Sequence, residues 1–426
     1  MNDLFQQIRI LEPLSQTDQI ADVWVTEGRI VKIGTEITEI PEETTRRDCR
    51  GWVMGPGLVD LYSHSGEPGF EERETLTSLS EAAKAGGFTR LSILPSTEPP
   101  ADNAATLSLL HQKSRIPGIK LQFWGALTEG VKGERMTELA ELAMGGIVGF
   151  ADGQPLPSLL LLRRLLEYAQ PLNQPVALWP VSRELVGNGV MREGINSIRF
   201  GVPGVPVAAE TAALAGLLEL VEFVGTPVHL MRVSTARGVA LIADAKSRGL
   251  PITASTPWMH LLLDTQAIGG EWRWGTGFPP YNPNLRLEPP LGNPEDRQAL
   301  VEAVKSGVID AIAIDHAPYT YEEKTVAFAE SPPGAIGLEL ALPLLWQGLV
   351  NTGELSALEL WRSLSTNPAL CLQQEPAKLA ENSPAELTLF NPEETWVVDG
   401  RSLKSLAANT PWWGQEIQGK VVGCVS

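Results

Sequence analysis

The sequence predicts an α/β protein whose main domain is a TIM-type (β/α)8 barrel, with a small β-sandwich domain built from both chain ends. Through the middle of the chain, short apolar runs alternate with helical periodicity, which is typical of repeated βα units. There are eight such runs, the number that closes most readily into a parallel barrel. Both chain ends instead carry short alternating runs that predict hairpin strands.

The end strands define the predicted domain boundaries. We expect residues 1–52 and 380–426 to pair in one small β-domain, and residues 53–379 to form the barrel. The alternating runs are 22–26 and 29–34 near the start, and 385–390, 395–398 and 419–423 near the end.

The predicted barrel strands are 58–63, 89–94, 119–125, 146–150, 175–179, 227–232, 251–254 and 309–315. Helices are predicted between several of them, at 157–169, 208–224, 236–247 and 294–306. Ser234-Thr235 and Asn293 are candidate N-caps, and Gly249 and Gly307 stand where helices should stop. An open doubly wound sheet is the alternative, but no Gly-rich phosphate loop follows any strand.

Composition limits the classes of partner. The chain has 426 residues, a formal net charge of −18 and a pI near 4.8, so it would repel phosphate backbones and we expect no nucleic acid partner. Its three cysteines lack CxxC spacing, which favours a reducing compartment and no thiolate metal site. The first fifteen residues do not resemble a signal peptide, and no apolar run approaches eighteen residues. The sequence therefore predicts a cytoplasmic protein that does not enter membranes.

Residues 54–69 contain the motif on which the prediction of function depends. A Gly-Pro-Gly turn leads into an apolar strand that ends in Asp60-Leu-Tyr62-Ser-His64, and alternate residues of a strand point the same way. This stretch, with Ala-Ala-Lys-Ala-Gly-Gly-Phe-Thr at 82–89 and Asp-His-Ala-Pro at 315–318, resembles the dihydroorotase family of the amidohydrolase superfamily. The resemblance extends over nearly the whole chain.

The resemblance implies a metal-dependent hydrolase scaffold. Family members hold one or two zinc ions with a His-x-His pair after the first strand, a carboxylate or carboxylated lysine after the fourth, a histidine after each of the fifth and sixth, and an aspartate after the eighth. A metal-bound hydroxide attacks a cyclic amide, and the last aspartate moves the proton. Mapped onto this chain, the retained residues are His64, Asp152 and Asp315. If activity persists, they form a remnant zinc site with Asp315 as general acid/base.

Three ligand positions depart from the family pattern, namely Tyr62, Trp179 and Arg232. An indole N–H is a donor only, and a guanidinium remains cationic. A guanidinium about 4 Å from a divalent ion would cost roughly 8 kcal/mol at an effective dielectric of about 20. We therefore expect no cofactor, and zinc only if the protein is active. Our hypothesis is that Arg232 lies among Asp152 and Asp315 and replaces the metal cation, so that Arg232→Ala destabilises the fold by several kcal/mol.

The substrate pocket also departs from the family. An arginine and an asparagine that grip the substrate carboxylate are replaced by Gly66 and Ser96, and a third position, an asparagine, by Glu288. An anionic substrate would thus meet an added carboxylate. The remaining pocket positions are Trp258, which we expect to fill space, His260, which stands where the family has a His-His pair, and His316, which follows Asp315.

Three classes of function remain. The favoured one is a non-catalytic dihydroorotase-like protein, a pseudoenzyme of pyrimidine biosynthesis that acts as a structural partner of aspartate transcarbamoylase; we also expect a homo-oligomer. The second is an active dihydroorotase or related cyclic-amide hydrolase with a mononuclear zinc site. The third is a small-molecule binding protein whose pocket takes a neutral or cationic ligand between Trp179, Trp258 and the leftover acids.

Overall fold

The computed structural model describes residues 2–38, 40–273, 275 and 277–425. In this part of the chain, eight parallel strands form one sheet in chain order, and the predicted fold class is confirmed. The barrel strands are Leu58–Ser63, Phe88–Ile93, Lys120–Gly125, Gly149–Phe150, Val176–Leu178, Val228–Leu230, Ile252–Pro257 and Ala311–Ala313.

Hydrogen bonds between the first and last strands bring the barrel almost to closure. The Asp315 N–H donates to Tyr62 O over 3.2 Å, and the His64 N–H donates to His316 O over 2.8 Å. Inside this seam the Asp60 carboxylate accepts from Ile314 N–H and Ser63 Oγ. Burial nevertheless raises the pKa of Asp60 to about 7. The seam holds the ends of the first and eighth strands side by side.

Several barrel strands differ from their predicted bounds. The fourth and eighth pair only over Gly149–Phe150 and Ala311–Ala313, whereas the predicted runs were 146–150 and 309–315. The predicted apolar runs are longer than the strands because residues that flank the strand hydrogen bonds are also buried, and buried positions are apolar. The residues after the ladder are loops that place side chains at the barrel mouth.

Helices cover the outside of the barrel, and their starts follow capping chemistry. Thr235 accepts from Gly238 N–H at the start of Ala236–Ser247, and Gly307 adopts a left-handed conformation after Pro294–Ser306. The other α-helices of the described chain are Leu76–Ala85, Ala104–Lys113, Leu139–Met144, Leu159–Ala169, Arg183–Val186, Ile195–Phe200, Ala208–Val224, Met259–Leu262, Tyr321–Lys324, Ala341–Leu345, Ala357–Leu364 and Thr366–Cys371, and Trp346–Val350 is a π-helix. Short 3-10 turns occur at Glu129–Val131, Gln170–Leu172, Thr265–Gly269 and Pro283–Leu285.

Both chain ends contribute to a second sheet, which is mainly antiparallel. Its strands are Asn2–Glu12, Thr17–Thr26, Arg29–Gly34, Thr45–Asp48, Val53–Pro56, Leu387–Val397 and Glu416–Val425. Val53–Pro56 pairs with strands from both ends, so it joins the two halves of this sheet directly before the first barrel strand. Trp361 Nε1 donates to Pro56 O over 2.9 Å and ties the sheet to the barrel's last helices. A short parallel pair, Met191–Arg192 and Gly204–Val205, lies apart from both sheets.

No helix within the described residues is both long and apolar enough to pass through a bilayer.

Candidate functional site

The centre of the candidate site is an ion pair between the sixth and eighth strand ends. Arg232 Nε and Nη2 donate to the two oxygens of Asp315 over 2.7 and 2.6 Å, which is a bidentate arrangement. Arg232 is 4% exposed and the Asp315 side chain 12% exposed, so the guanidinium is the more deeply buried partner. Arg232 Nη1 donates to Gly153 O over 2.8 Å. The predicted contact between Arg232 and Asp315 is therefore present.

His64 belongs to the same network. Arg232 Nη2 donates to His64 Nε2 over 3.2 Å, so this nitrogen carries no proton. The ring proton then lies on Nδ1 and is shared with Ser96 Oγ at 3.1 Å. Burial, followed by the positive charge of Arg232, lowers the pKa of His64 to about 4. His64 is thus a neutral hydrogen-bonding group at neutral pH.

Tyr62 supports Arg232 from inside the barrel. The backbone N–H of Arg232 donates to the Tyr62 hydroxyl over 3.1 Å, and that hydroxyl lies 2.9 Å from Ser255 Oγ. Ser255 Oγ in turn lies 2.8 Å from His229 Nε2, whose other ring nitrogen contacts Thr253 Oγ1. Arg232 has a φ of 55°, in the left-handed region that non-glycine residues seldom adopt. The Tyr62 hydroxyl therefore helps to hold a strained backbone position.

Asp152 requires a correction. The sequence predicted that Arg232 lies among Asp152 and Asp315, but Asp152 makes no hydrogen bond to Arg232 in the described structure. Its carboxylate accepts instead from the N–H groups of Leu127 and Thr128 and from Thr128 Oγ1. Burial raises the pKa of Asp152 to about 6. The loop after the third strand captures this carboxylate, a contact that strand-end reasoning did not anticipate.

Trp179 lies between two arginines. The guanidinium carbon of Arg232 is 4.9 Å from the centre of its ring system, and that of Arg183 is 5.4 Å away. Both distances are within the range of cation–π attraction. Trp179 Nε1 is buried without a hydrogen-bond partner among the described residues. The indole thus packs as an aromatic wall between the two guanidinium groups.

The positions that would grip a substrate carboxylate are closed or occupied. At Gly66 a Cβ atom would collide with the backbone oxygens of Phe70 and Glu74, so no larger side chain fits there. The Ser96 hydroxyl is hydrogen-bonded to His64 Nδ1. Glu288 accepts from Arg183 Nη1 and lines the cavity in front of Arg232.

The three remaining predicted pocket residues are buried and have packing or hydrogen-bonding roles. Trp258 stacks on Trp412 with ring centres 5.2 Å apart, as expected for a residue that fills space. His260 Nε2 donates to the backbone oxygens of Pro289 and Pro290, and burial lowers the pKa of His260 to about 4.

His316 does not line the cavity in the described structure. Its Nδ1 accepts from the Gly337 N–H, so in the neutral ring the proton lies on Nε2, which is 3.5 Å from Glu74 Oε2. His316 thus links the eighth strand end to the segment around Glu74, consistent with a structural role.

Sequence reasoning missed three residues at the cavity rim, Gln154, Arg183 and Tyr319. Arg183 Nη2 donates to Gln154 Oε1 over 2.6 Å, while its Nη1 bonds Glu288. Gln154 and Tyr319 line the cavity. Each follows a barrel strand by a few residues, so extending the strand-end search into the loops would have found them.

The charges at the barrel mouth largely cancel. Arg232 is matched by Asp315 and Arg183 by Glu288, while His64 and His260 are neutral at neutral pH. Within the described part of the chain, no three His, Cys, Asp or Glu side chains are grouped so that they could hold a metal ion. The arrangement can bind through shape and hydrogen bonds, and Asp315, the predicted general acid/base, is engaged by a guanidinium.

Comparisons with known proteins agree with this architecture. The family model described as dihydro-orotase-like matches residues 51–237. A probable dihydroorotase-like protein of Synechocystis sp. is 46% identical over 442 aligned residues and covers 98% of both chains. A dihydroorotase of Pelobacter propionicus is 38% identical, covering 100% of this chain and 98% of its own. The solved L-hydantoinase (dihydropyrimidinase) from Arthrobacter aurescens aligns with a TM-score of 0.83 at 22% identity, covering 99% of this chain and 94% of that one.

The barrel and the sheet from both chain ends are shared with the solved hydantoinase, which establishes the fold class. Full-length identities of 46% and 38% to the two relatives narrow this class further. The chain belongs to the dihydroorotase family of the amidohydrolase superfamily.

Proposed function

We propose that this chain is a non-catalytic member of the dihydroorotase family that serves pyrimidine biosynthesis as a structural partner of aspartate transcarbamoylase in the cytoplasm. The observation that carries the non-catalytic part is the position of the Arg232 guanidinium, which is bonded to both Asp315 and His64. These are two of the three retained residues that a remnant metal site would use.

The residues at this corner do not fit a zinc ion. The cation position next to Asp315 and His64 is taken by a permanent positive charge, and His64 Nε2 already accepts a hydrogen bond. Both oxygens of Asp152 are used by the loop at Leu127 and Thr128. A zinc ion would have to displace Arg232 and leave a guanidinium buried without its partner, which costs several kcal/mol.

The network supports a retained structural role. Tyr62, Arg232, Asp315 and His64 satisfy one another with hydrogen bonds, and among the described residues only the neighbouring Trp179 Nε1 of the predicted ligand positions is buried without a partner. A stable barrel with its full covering of helices can still present a surface to a partner. The transcarbamoylase assignment rests on the family resemblance, and we propose it as the first partner to test.

Three measurements test the proposal. We expect near-zero zinc per chain by elemental mass spectrometry after purification without chelators, incubation with excess zinc and dialysis. We also expect no ring opening of dihydroorotate. A co-purification of tagged chain with aspartate transcarbamoylase from the same source should give a complex of larger mass than either protein by light scattering.

A designed variant provides the matched positive control. In Tyr62→His/Trp179→His/Arg232→His the three departed positions regain nitrogen ligands, and we expect zinc uptake to rise towards one ion per chain. About one zinc in the unchanged protein, or dihydroorotate turnover by it, would contradict the non-catalytic role. Absence of a complex with transcarbamoylase would remove that partner.

The second candidate function is an active dihydroorotase. It is favoured by the relatives named dihydroorotase, which match over nearly their full lengths at 34–38% identity. In that case His64, Asp152 and Asp315 would hold the metal, and the zinc measurement above separates the two candidates.

A further inference from the structure

A buried arginine near the barrel mouth has no acidic partner. Arg192 is 1% exposed, and its one hydrogen bond to the described residues runs from Nη2 to Ser234 Oγ over 2.8 Å. Its Nε–H is enclosed without a partner, and it forms no ion pair in this part of the chain. A guanidinium stays cationic, and an arginine is almost never fully buried unless it is paired. Arg192 therefore lacks the negative charge that its position requires.

Two other buried arginines show the compensation that Arg192 lacks. Arg232 donates to both oxygens of Asp315 over 2.7 and 2.6 Å. Arg297, which is also 1% exposed, donates to both oxygens of Glu354 over 3.0 and 2.9 Å. Each of these guanidinium groups has a carboxylate against it, as a buried charge needs. Burial in this fold thus does not by itself separate an arginine from an acid.

The carboxylates that attract Arg192 from a distance are engaged by other donors. Glu210 accepts from the Ser234 N–H, from Ser234 Oγ and from Thr235 Oγ1. Asp296 accepts from two backbone N–H groups. Burial lowers the pKa of Arg192, and the attraction of these two acids does not offset it. The protein's own acids therefore leave the charge of Arg192 only partly compensated.

A small cavity adjoins this guanidinium and is lined by a second arginine. Its volume is about 20 Å³, and its charged lining residues among those described are Arg192, Arg286, Glu210 and Glu288. Arg286 donates from Nη1 to Leu287 O, but its Nε–H is enclosed without a partner and it too forms no ion pair within the described chain. A cavity needs about 10–15 Å³ to hold one water molecule, so a single monatomic ion is the size of occupant that fits.

The balance of charge at this cavity is positive. Glu288 is already paired, because it accepts from Arg183 Nη1. Arg183, Arg192 and Arg286 together carry three positive charges, and Glu210 and Glu288 carry two negative charges. The excess is one positive charge, which a monovalent anion would neutralise.

We propose that this cavity is a binding site for one halide ion, chloride in the cell, held between the guanidinium groups of Arg192 and Arg286. Arg192 Nη1 and Arg286 Nη2 have no hydrogen-bond partner among the described residues, and unlike the two Nε atoms they are not enclosed. Carboxylates and phosphates are too large for the space. Neither Arg232 nor Asp315 lines this cavity, so the inference does not depend on the proposed function.

Bromide tests the site directly, because it is a halide with an anomalous X-ray signal. In crystals of the unchanged full chain grown in sodium bromide, we expect an anomalous peak within hydrogen-bond reach of Arg192 Nη1 and Arg286 Nη2. A cavity that holds only water at high bromide concentration would overturn the proposal. This measurement needs no variant, so it does not depend on the folding of an altered chain.

The melting temperature provides a test in solution. Sodium chloride replaces sodium gluconate stepwise at constant ionic strength, which keeps the screening of charges equal, and gluconate is too large for the cavity. We expect the melting temperature to rise by about 2–4 °C and then to level off, as for a ligand that binds only the folded state. A melting temperature that does not respond to chloride would contradict the site.

Two variants assign the chloride response to the cavity. Arg192→Met should abolish the rise, and without chloride its melting temperature should equal or exceed that of the unchanged chain, because it no longer buries an uncompensated charge. Arg286→Met, at the less buried arginine, should reduce the rise and is the second variant should Arg192→Met not fold. Arg163→Met, at an exposed arginine paired with Glu167, is the matched control and should keep the full rise. A full rise in both cavity variants would overturn the proposal.

Discussion

Two carboxylates at opposite sides of the barrel mouth show two ways of burying a negative charge. Asp315 follows the eighth strand and is clasped by the guanidinium of Arg232 through two hydrogen bonds. Asp152 lies after the fourth strand and is held by two backbone N–H groups and the Thr128 hydroxyl, with no cation bonded to it. The sequence predicted both residues as parts of one remnant metal site, yet the structure surrounds them with different partners.

The difference shows which part of the site depends on Arg232. At Asp315, a full positive charge compensates the carboxylate, so removing it leaves a buried charge uncompensated. At Asp152, dipoles compensate the charge only in part, and burial raises the pKa of Asp152 to about 6. The contact of Asp315 after the eighth strand therefore depends on opposite charges. Asp152, after the fourth strand, instead holds a loop by hydrogen bonds and can do so with a protonated carboxyl.

The largest expected effect on stability comes from breaking the Arg232–Asp315 ion pair. Arg232→Met should lower the free energy of unfolding by about 3–5 kcal/mol, because Asp315 and His64 lose their shared donor in a buried setting. Urea denaturation followed by circular dichroism measures this. Arg163→Met, at an exposed arginine paired with Glu167, should change stability by less than about 0.5 kcal/mol.

A double variant distinguishes a lost charge partner from a packing defect. Arg232→Met/Asp315→Asn should recover a good part of the stability lost in Arg232→Met, because the uncompensated charge is gone. If the double variant is no more stable than Arg232→Met, the ion pair is not the source of the effect.

The next effect is a pH dependence of the free energy of unfolding, which originates at His229. Burial lowers the pKa of His229 to about 3, so the folded state keeps this ring neutral while the unfolded chain protonates it below about pH 6.5. The unfolded state then binds more protons, and stability falls as the pH falls. From pH 6.5 to 5, His229 should contribute a loss of about 2 kcal/mol to the free energy of unfolding.

His229→Gln isolates that contribution, because other buried histidines remain in both proteins. Its stability should fall less steeply with decreasing pH than that of the unchanged chain. Thr253→Val removes one hydrogen bond of His229 but keeps the titrating ring, so it should be less stable yet retain the steep dependence. Identical slopes for the unchanged chain and His229→Gln would rule out His229 as the source.

A loss of stability smaller than that of Arg232→Met is expected from the hydroxyl that supports Arg232. Tyr62→Phe leaves the Arg232 N–H and Ser255 Oγ without their partner, which should cost about 1–3 kcal/mol. The ring itself still fills its place. The same denaturation measurement applies, and a variant as stable as the unchanged chain would show that the hydroxyl does not support the Arg232 backbone.

The strand ends were predictable from sequence because the period of a strand fixes which side chains share a direction. That reasoning placed Tyr62 and His64 on the same side of the first strand, whereas Arg232 and Asp315 were added to the group by the family resemblance; the structure brings the four together. The contact between an arginine and an aspartate also follows from charge, since a buried carboxylate needs a partner.

The other contacts of the site could not be predicted from the sequence, because they depend on the paths of loops and on the register of distant strands. Asp152 turns to Leu127 and Thr128 because of the path of the loop after the third strand, which no period in the sequence reveals. The contact of Tyr62 with Ser255 joins residues 193 positions apart and needs the closed barrel to be known. The closure around Gly66 likewise arises from backbone atoms of Phe70 and Glu74, not from a side-chain pattern.

The smallest expected effect is the coupling between Asp152 and Arg232, and it is the sharpest test of the comparison. In a double-mutant cycle between Asp315→Asn and Arg232→Met we expect a coupling energy of about 1.5–3 kcal/mol. In the cycle between Asp152→Asn and Arg232→Met we expect less than about 0.5 kcal/mol, because Asp152 is bonded to the loop and not to the guanidinium. Comparable coupling in both cycles would mean that Arg232 also compensates Asp152, as the sequence alone had suggested, and that the two sides of the barrel mouth form one electrostatic unit.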